Sequence, residues 1–158
     1  MIDKGISIFA HDAAADERFS AGHSLPDSIL NKPERLTADE YAEMKKHPLH
    51  GARILANIQS AAVKAVVPGV QYHHERWDGS GYPEGRAAEE IPLIARVLGV
   101  SDFLDALTSV RAYRDAMPLN VVVDRIKQKA GTHFDPAVAD VVARLHDRGE
   151  LLPEDRDA

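Results

Sequence analysis

The chain has no cysteine among its 158 residues. That absence removes disulfides, thiolate nucleophiles and cysteine-type zinc sites, and it leaves His, Asp and Glu as the strong metal ligands. Long hydrophobic runs are also missing. The opening MIDKGISIFAHDAAADERF holds no apolar stretch long enough for a signal-peptide core or a membrane span, so the expectation is a soluble, cytoplasmic protein with no membrane partner. Positive charge is in deficit, with a formal net charge of −6. Such a balance argues against broad binding to nucleic-acid polymers, and any anionic ligand then needs a local basic pocket. Strand-like alternation is lacking too: beyond GISIF in the first ten residues, no segment alternates well enough to read as a strand. The fold class expected is all-α.

The composition, 44% apolar and 28% charged, suits one packed core. Residues 1–24 read as an N-terminal arm, and 148–158, with the acidic PEDRDA, as a frayed tail. Between them the pattern is helical. Thr37 and Glu40 form a T-x-x-E capping box ahead of ADEYAEMKKH. Pro48 follows His47 directly, so His47 stands at a helix boundary. Leu49, Ala52, Ile54 and Leu55 are expected against the core. Val63, Val66, Val67 and Val70 share the i, i+3, i+4, i+7 spacing of one apolar helix face that ends at His73 and His74, with Pro68 expected to bend it. Pro92 opens the longest apolar segment, PLIARVLGVSDFLDALTSV, expected to be the central helix. Within it Asp102 and Asp105 are costly unless paired or metal-bound. Pro118 begins a helix running to about Lys129. Asp135 and Pro136 sit as N-cap and first residue of a last helix whose Val138, Val141, Val142 and Leu145 are expected on one buried face.

The stretch with the strongest chemical character is HHERWDGSGYP, residues 73–83. Neutral imidazole is the commonest protein metal ligand, and here two imidazoles adjoin a glycine-loosened loop that Pro83 closes. Trp77 reads as packing under that loop rather than as a base-stacking platform. His50, His133 and His146 have no site context in the sequence: His133 adjoins the FDP cap, and the other two read as surface residues.

The ordered set LPDSILNKPERLT, KKHPLHGARIL, HHERWDGSGYPEG, IPLIARVLGVSDFLDALTSVRAYRDAM and AGTHFDP closely resembles the HD-GYP family of bacterial phosphodiesterases over about residues 25–147. The resemblance implies an HD-superfamily helical bundle that binds two or three metal ions, often iron or manganese. It also implies hydrolysis of cyclic di-GMP to the linear dinucleotide or onward to GMP. Carried over by position, His47, His73, His74 and Asp102 correspond to metal ligands. Gly81, Tyr82 and Pro83 are the naming motif, and Arg111 and Arg114 match positions that contact ligand phosphates. In residues 1–24, HDAAADERF weakly resembles the end of a GAF-type sensory domain.

One departure bears on activity. The family writes HDIGK-x-x-x-PD, and counting back from Pro26 puts its His-Asp pair at Arg18 and Phe19 and its lysine at Gly22. The expectation is an HD-GYP core with its front end replaced. By resemblance, His47, His73 and His74 serve one metal, while Asp102 serves another together with the lost pair. Fewer ions than the full centre are therefore expected, as Zn²⁺, Fe²⁺ or Mn²⁺, or none. His11 with Asp12, or His23, are alternatives for the lost ligands, and Asp102 alternatively pairs with Arg96. Two readings of function stay open: a phosphodiesterase with an altered centre, and an inactive module that binds cyclic di-GMP or a signalling protein. A chain driven by exposed apolar faces to form a homodimer is a third.

Overall fold

The computed structural model describes residues 29, 32, 34–110 and 115–151. The expected N-terminal arm, His11, Asp12, Arg18, Phe19, Gly22, His23, the two arginines expected to contact phosphate, Arg111 and Arg114, and most of the acidic tail lie outside the described residues. Those described form six α-helices and no named strand: α1 (Ala38–Met44), α2 (His47–Ala56), α3 (Ala61–Tyr72), α4 (Leu93–Thr108), α5 (Leu119–Gln128) and α6 (Pro136–Asp147). A 3₁₀ turn, Ala88–Glu90, precedes α4. The all-α expectation therefore holds, and among the described residues no helix is long and apolar enough to cross a membrane.

Local chemistry explains the boundaries. Thr37 accepts from the Glu40 amide while Glu40 returns a bond to the Thr37 amide, which completes the capping box of α1. Pro48 does not end a helix. It sits in the first turn of α2, where no amide proton is needed, so His47 becomes the first residue of that helix rather than the last of the one before. Pro68 lies inside α3, which continues to Tyr72. At α6, Asp135 accepts from the Ala137 amide at 2.8 Å, as an N-cap followed by proline should.

The helix α4 is central: it packs on α3 from one side and on α5 and α6 from the other, while α2 packs on α3. Val100, Leu104 and Leu107 of α4 meet Val122 and Ile126 of α5, Phe134, and Val138 and Ala139 of α6 in the main core. A smaller cluster of Tyr72, Ile91 and Ala95 holds the end of α3 against the start of α4. That second cluster fixes where His73 and His74 emerge.

Three details of the expected faces change. Val141 is 44% exposed, because α6 is covered over the sector of Val138, Ala139 and Ala143, whose small alanines admit close approach. Val66 and Ile54 are likewise exposed: the neighbours of α3 and of α2 cover a narrower sector than the valine or isoleucine stripe occupies.

Candidate metal centre

His47 enters from the α1–α2 junction, while His73 is the C-cap residue of α3 and His74 follows it. Their ligand nitrogens all lie within 4.8 Å of one another. The closest pair, His74 Nε2 and His47 Nε2, is 3.1 Å apart. The ring centroids of His73 and His74 are separated by 4.1 Å. His47 Nδ1 lies 2.9 Å from the Met44 carbonyl, and His73 Nδ1 lies 2.7 Å from that of Val70. A carbonyl only accepts, so each Nδ1 carries the proton and donates it, which leaves Nε2 of both rings with a free lone pair. That outer hydrogen bond is the usual way a ligating imidazole is held in tautomer and orientation.

Burial pushes the pKa of all three imidazoles below the ordinary 6.5, and His74 is driven to about 3 by burial and then by its neighbours His73, His47 and His133. Asp102 pulls His47 and His73 the other way, but less than burial does. Three imidazoles neutral at pH 7 meet the requirement that ligands be deprotonated. Two ligands each about 2.1 Å from one cation stand about 3.0–3.4 Å apart at right or tetrahedral angles, and the 3.1 Å pair fits that range. The residues present thus fit one divalent cation, with a small rotation closing the wider separations.

The same shifts set a pH response. Unfolded imidazoles take up protons below about 6.5, whereas the folded chain keeps His74 neutral down to about 3 and His133 to about 4. The unfolded state binds more protons in that window, so stability falls as pH drops below about 6.5. At about 1.4 kcal/mol per pH unit, His74 alone implies a loss on the order of 2 kcal/mol between pH 7 and pH 5. His133, half exposed, adds less. The urea midpoint of chelator-treated protein at those two pH values is the check. A midpoint that does not fall would place the imidazoles in water.

Behind the histidines the 75–85 loop folds back on the turn that bears them. The Tyr82 amide donates to the His74 carbonyl at 3.2 Å, and the Tyr82 ring lies 4.8 Å from that of His74. Gly81 is required by this approach: a Cβ there would stand 2.6 Å from both the His74 carbonyl oxygen and Glu75 Cα. Gly99 of α4 has the same role from the other side, since its Cβ would stand 2.6 Å from the His73 carbonyl oxygen. The Trp77 and Asp78 amides donate to the His133 and Thr132 carbonyls at 3.1 and 2.9 Å. The segment between α5 and α6 thereby supports the loop. Burial, with Tyr41 and Asp102 nearby, raises the Tyr82 hydroxyl pKa, so it remains a proton donor. Asp78 is held far below the usual carboxylate range by Arg76 and Ser80, and it staples the loop tip.

The structure therefore brings His47, His73 and His74 together and sets Gly81 and Tyr82 against His74, with Pro83 next in the chain after a cis peptide bond. Asp102 is exposed on α4, near enough to act on His47, His73 and Tyr82 through its charge but outside the trio. The alternative partner for Asp102 is overturned: Arg96 binds Asp135 instead, at 2.6 Å. Trp77 packs, with the Arg96 guanidinium 5.8 Å from its ring centroid. Three residues escaped the sequence reading. His133 is no bystander: it stacks on Phe134 at 4.3 Å, lies 3.4 Å from an Arg76 nitrogen and acts on His74 through its charge. His50 is half-buried and acts on His47. Glu75 is buried within the loop, and its place between two histidines and two glycines was the available signal.

Comparison with known proteins bears on these residues. The family model for the HD domain matches residues 10–138. A cyclic di-GMP phosphodiesterase response regulator, RpfG, of Xanthomonas campestris is 40% identical over 121 residues, which cover 77% of this chain and 32% of that protein. A cyclic di-GMP phosphodiesterase of Thermotoga maritima is 38% identical, covering 77% and 33%. A 3′3′-cGAMP-specific phosphodiesterase 2 of Vibrio cholerae is 34% identical, covering 75% and 23%. The chain thus spans about a third or less of the length of these relatives. The crystal structure of the cyclic GMP-AMP phosphodiesterase V-cGAP3 of V. cholerae superposes with a TM-score of 0.59 at 21% identity, over 78% of this chain and 32% of that one. At that identity the likeness speaks for the fold.

Proposed function

The chain belongs to the HD domain family, in its HD-GYP branch, and from that premise we propose that it is a metal-dependent phosphodiesterase acting on cyclic di-GMP. The observation that carries the reading is the convergence of three neutral imidazoles, two of them with Nε2 freed by a backbone bond at Nδ1. In this reading His47, His73 and His74 hold one iron, manganese or zinc ion, and fewer ions are bound than in a full family centre. A bound divalent ion supplies acidification of water and stabilisation of charge on phosphate oxygens.

The chain's own residues do the rest. Tyr82 keeps its hydroxyl proton and lies beside the histidines as a donor toward a phosphate. Asp102 adds a negative charge that favours a cation near His47 and His73. Arg111 and Arg114, three positions apart, are proposed as the phosphate-holding pair. Hydrolysis adds one water across a phosphodiester: an oxygen–phosphorus bond forms, the bond to one ribose oxygen breaks, and that oxygen leaves with a proton. The site of action is taken to be a bacterial cytoplasm.

A second reading rests on a specific observation. Arg18, Phe19 and Gly22 occupy the positions at which the family pattern has its His-Asp pair and lysine, which favours a module that binds the nucleotide, or a signalling partner, without cleaving it. Incubation of pure protein with cyclic di-GMP and Mn²⁺ or Fe²⁺ separates the two. Linear dinucleotide is expected; calorimetric binding without product supports the nucleotide-binding form of the second reading, and the absence of both heat and product rejects the phosphodiesterase and leaves only the form that binds a signalling partner.

A further inference from the structure

Glu75 is 6% exposed, and only one of its carboxylate oxygens has a partner. Oε1 accepts from the Glu84 amide at 2.7 Å and the Gly85 amide at 3.1 Å. Oε2 is buried without a hydrogen bond. Glu75 lines a cavity of about 10 Å³ together with His73, Trp77, Arg96, His133 and Asp135. That volume is about the smallest that admits one water, and Arg96, His133 and Asp135 put polar side chains in the lining. An orphaned buried oxygen has lost its hydration without a hydrogen bond in return, so a residue placed this way calls for a role.

We propose that Glu75 is a positioning residue for the metal centre: Oε1 clamps the 84–85 backbone, and Oε2 holds a water in the cavity behind His73. The clamp closes the loop whose Tyr82 amide bonds the His74 carbonyl and whose Tyr82 ring lies beside the His74 imidazole. The water ties the same carboxylate to the Arg96–Asp135 pair, which is anchored on α4 and α6. Glu75 follows His74 directly in the chain, so both attachments act on the turn that aims the two imidazoles. Nothing in this role requires Glu75 to touch the ion or the substrate.

The inference rests on the triad as a metal site, and the test has one arm that does not. In metal-free protein, Glu75→Ala is expected to speed hydrogen exchange of the Glu84 and Gly85 amides at least about tenfold while core amides such as Val122 and Ile126 keep their protection. In titrations with Co²⁺, Glu75→Ala is expected to weaken affinity by about 10- to 100-fold, as loss of an outer-shell partner does. Glu75→Gln keeps an acceptor for the loop amides but turns Oε2 into a donor, so loop protection should persist while Co²⁺ affinity falls about tenfold. Unchanged loop exchange in the alanine variant, or wild-type Co²⁺ affinity in both variants, overturns the proposal. Should the alanine variant lose core protection, the glutamine variant decides: wild-type affinity there overturns it. Wild-type protein that binds no Co²⁺ refutes the triad reading instead, and the exchange arm still judges the clamp.

Discussion

Alanine in place of His47, His73 or His74 is expected to weaken binding of Mn²⁺, Fe²⁺ or Zn²⁺ by well over about 100-fold. Removal of a partner that merely orients a ligand costs about 10- to 100-fold, so removal of a ligand costs more. With two imidazoles left and no thiol in the chain, no third strong ligand stands within the trio's 4.8 Å to replace it among the described residues. Metal content after dialysis and calorimetric titration are the measurements. His146→Ala is the control, because that ring lies beside Asp147 on α6; its metal content should match the parent. The three variants should act alike although one ligand comes from α2 and two from the end of α3. A chain that retained full metal after loss of any one would place the ion elsewhere. Activity toward cyclic di-GMP, if present, should fall with metal content in every variant.

The relation between sequence and site is uneven. Local rules performed well where one residue settles the matter, as with the Thr37–Glu40 box, Pro92 and Pro118 before helix starts, and Asp135 at the head of α6. They did less well on faces. A stripe such as Val138, Val141, Val142 and Leu145 states that one side is apolar, but how wide a sector neighbouring helices cover depends on where α4 and α5 lie. Val141 falls outside that sector. The histidines became a constellation only through motif resemblance, since His47 is 27 residues from His74 and no local spacing joins them. His133 is farther still along the chain, and its approach depends on backbone pairing between Trp77 and His133 that neither segment advertises. Glu75 shows a third kind of limit. An acidic residue in a glycine-rich loop is ordinarily solvated, and its burial follows from the loop closing over it.

These observations place the histidine trio on top of a tertiary support rather than on one rigid helix. His73 and His74 hang from α3, the loop folds under them, and the turn after α5 holds the loop through the Trp77 and Asp78 amides. The support is fixed in turn by the Arg96–Asp135 pair, which spans from α4 to the head of α6. A fault in that pair should therefore reach the site through the turn at Thr132–Phe134, without contact with any ligand.

Asp135→Ala is accordingly expected to be the most destabilising single change at the periphery of the site. The Asp135 side chain is 5% exposed and that of Arg96 17% exposed, with 2.6 Å between the nitrogen and Oδ2. Arg96 also donates from Nε to the Ile91 carbonyl at 2.9 Å, so its guanidinium cannot swing freely to solvent. Loss of the carboxylate strands that cation and removes the cap from the Ala137 amide. Breaking a buried pair from one side costs about 3–5 kcal/mol, and the cap contributes about 1 kcal/mol within that figure. Asp135→Asn keeps an acceptor for Ala137 and should cost less than the alanine variant, which separates charge from cap. Combining Arg96→Met with Asp135→Asn should recover part of the loss, because no unpaired charge remains. Urea unfolding of the four proteins measures these differences. A double variant no more stable than Asp135→Ala would mean that the pair matters for its geometry and not for its charge. If the support acts as argued, Asp135→Asn should also weaken metal binding under conditions where it is fully folded, since the turn carrying His133 would no longer be pinned beneath the loop.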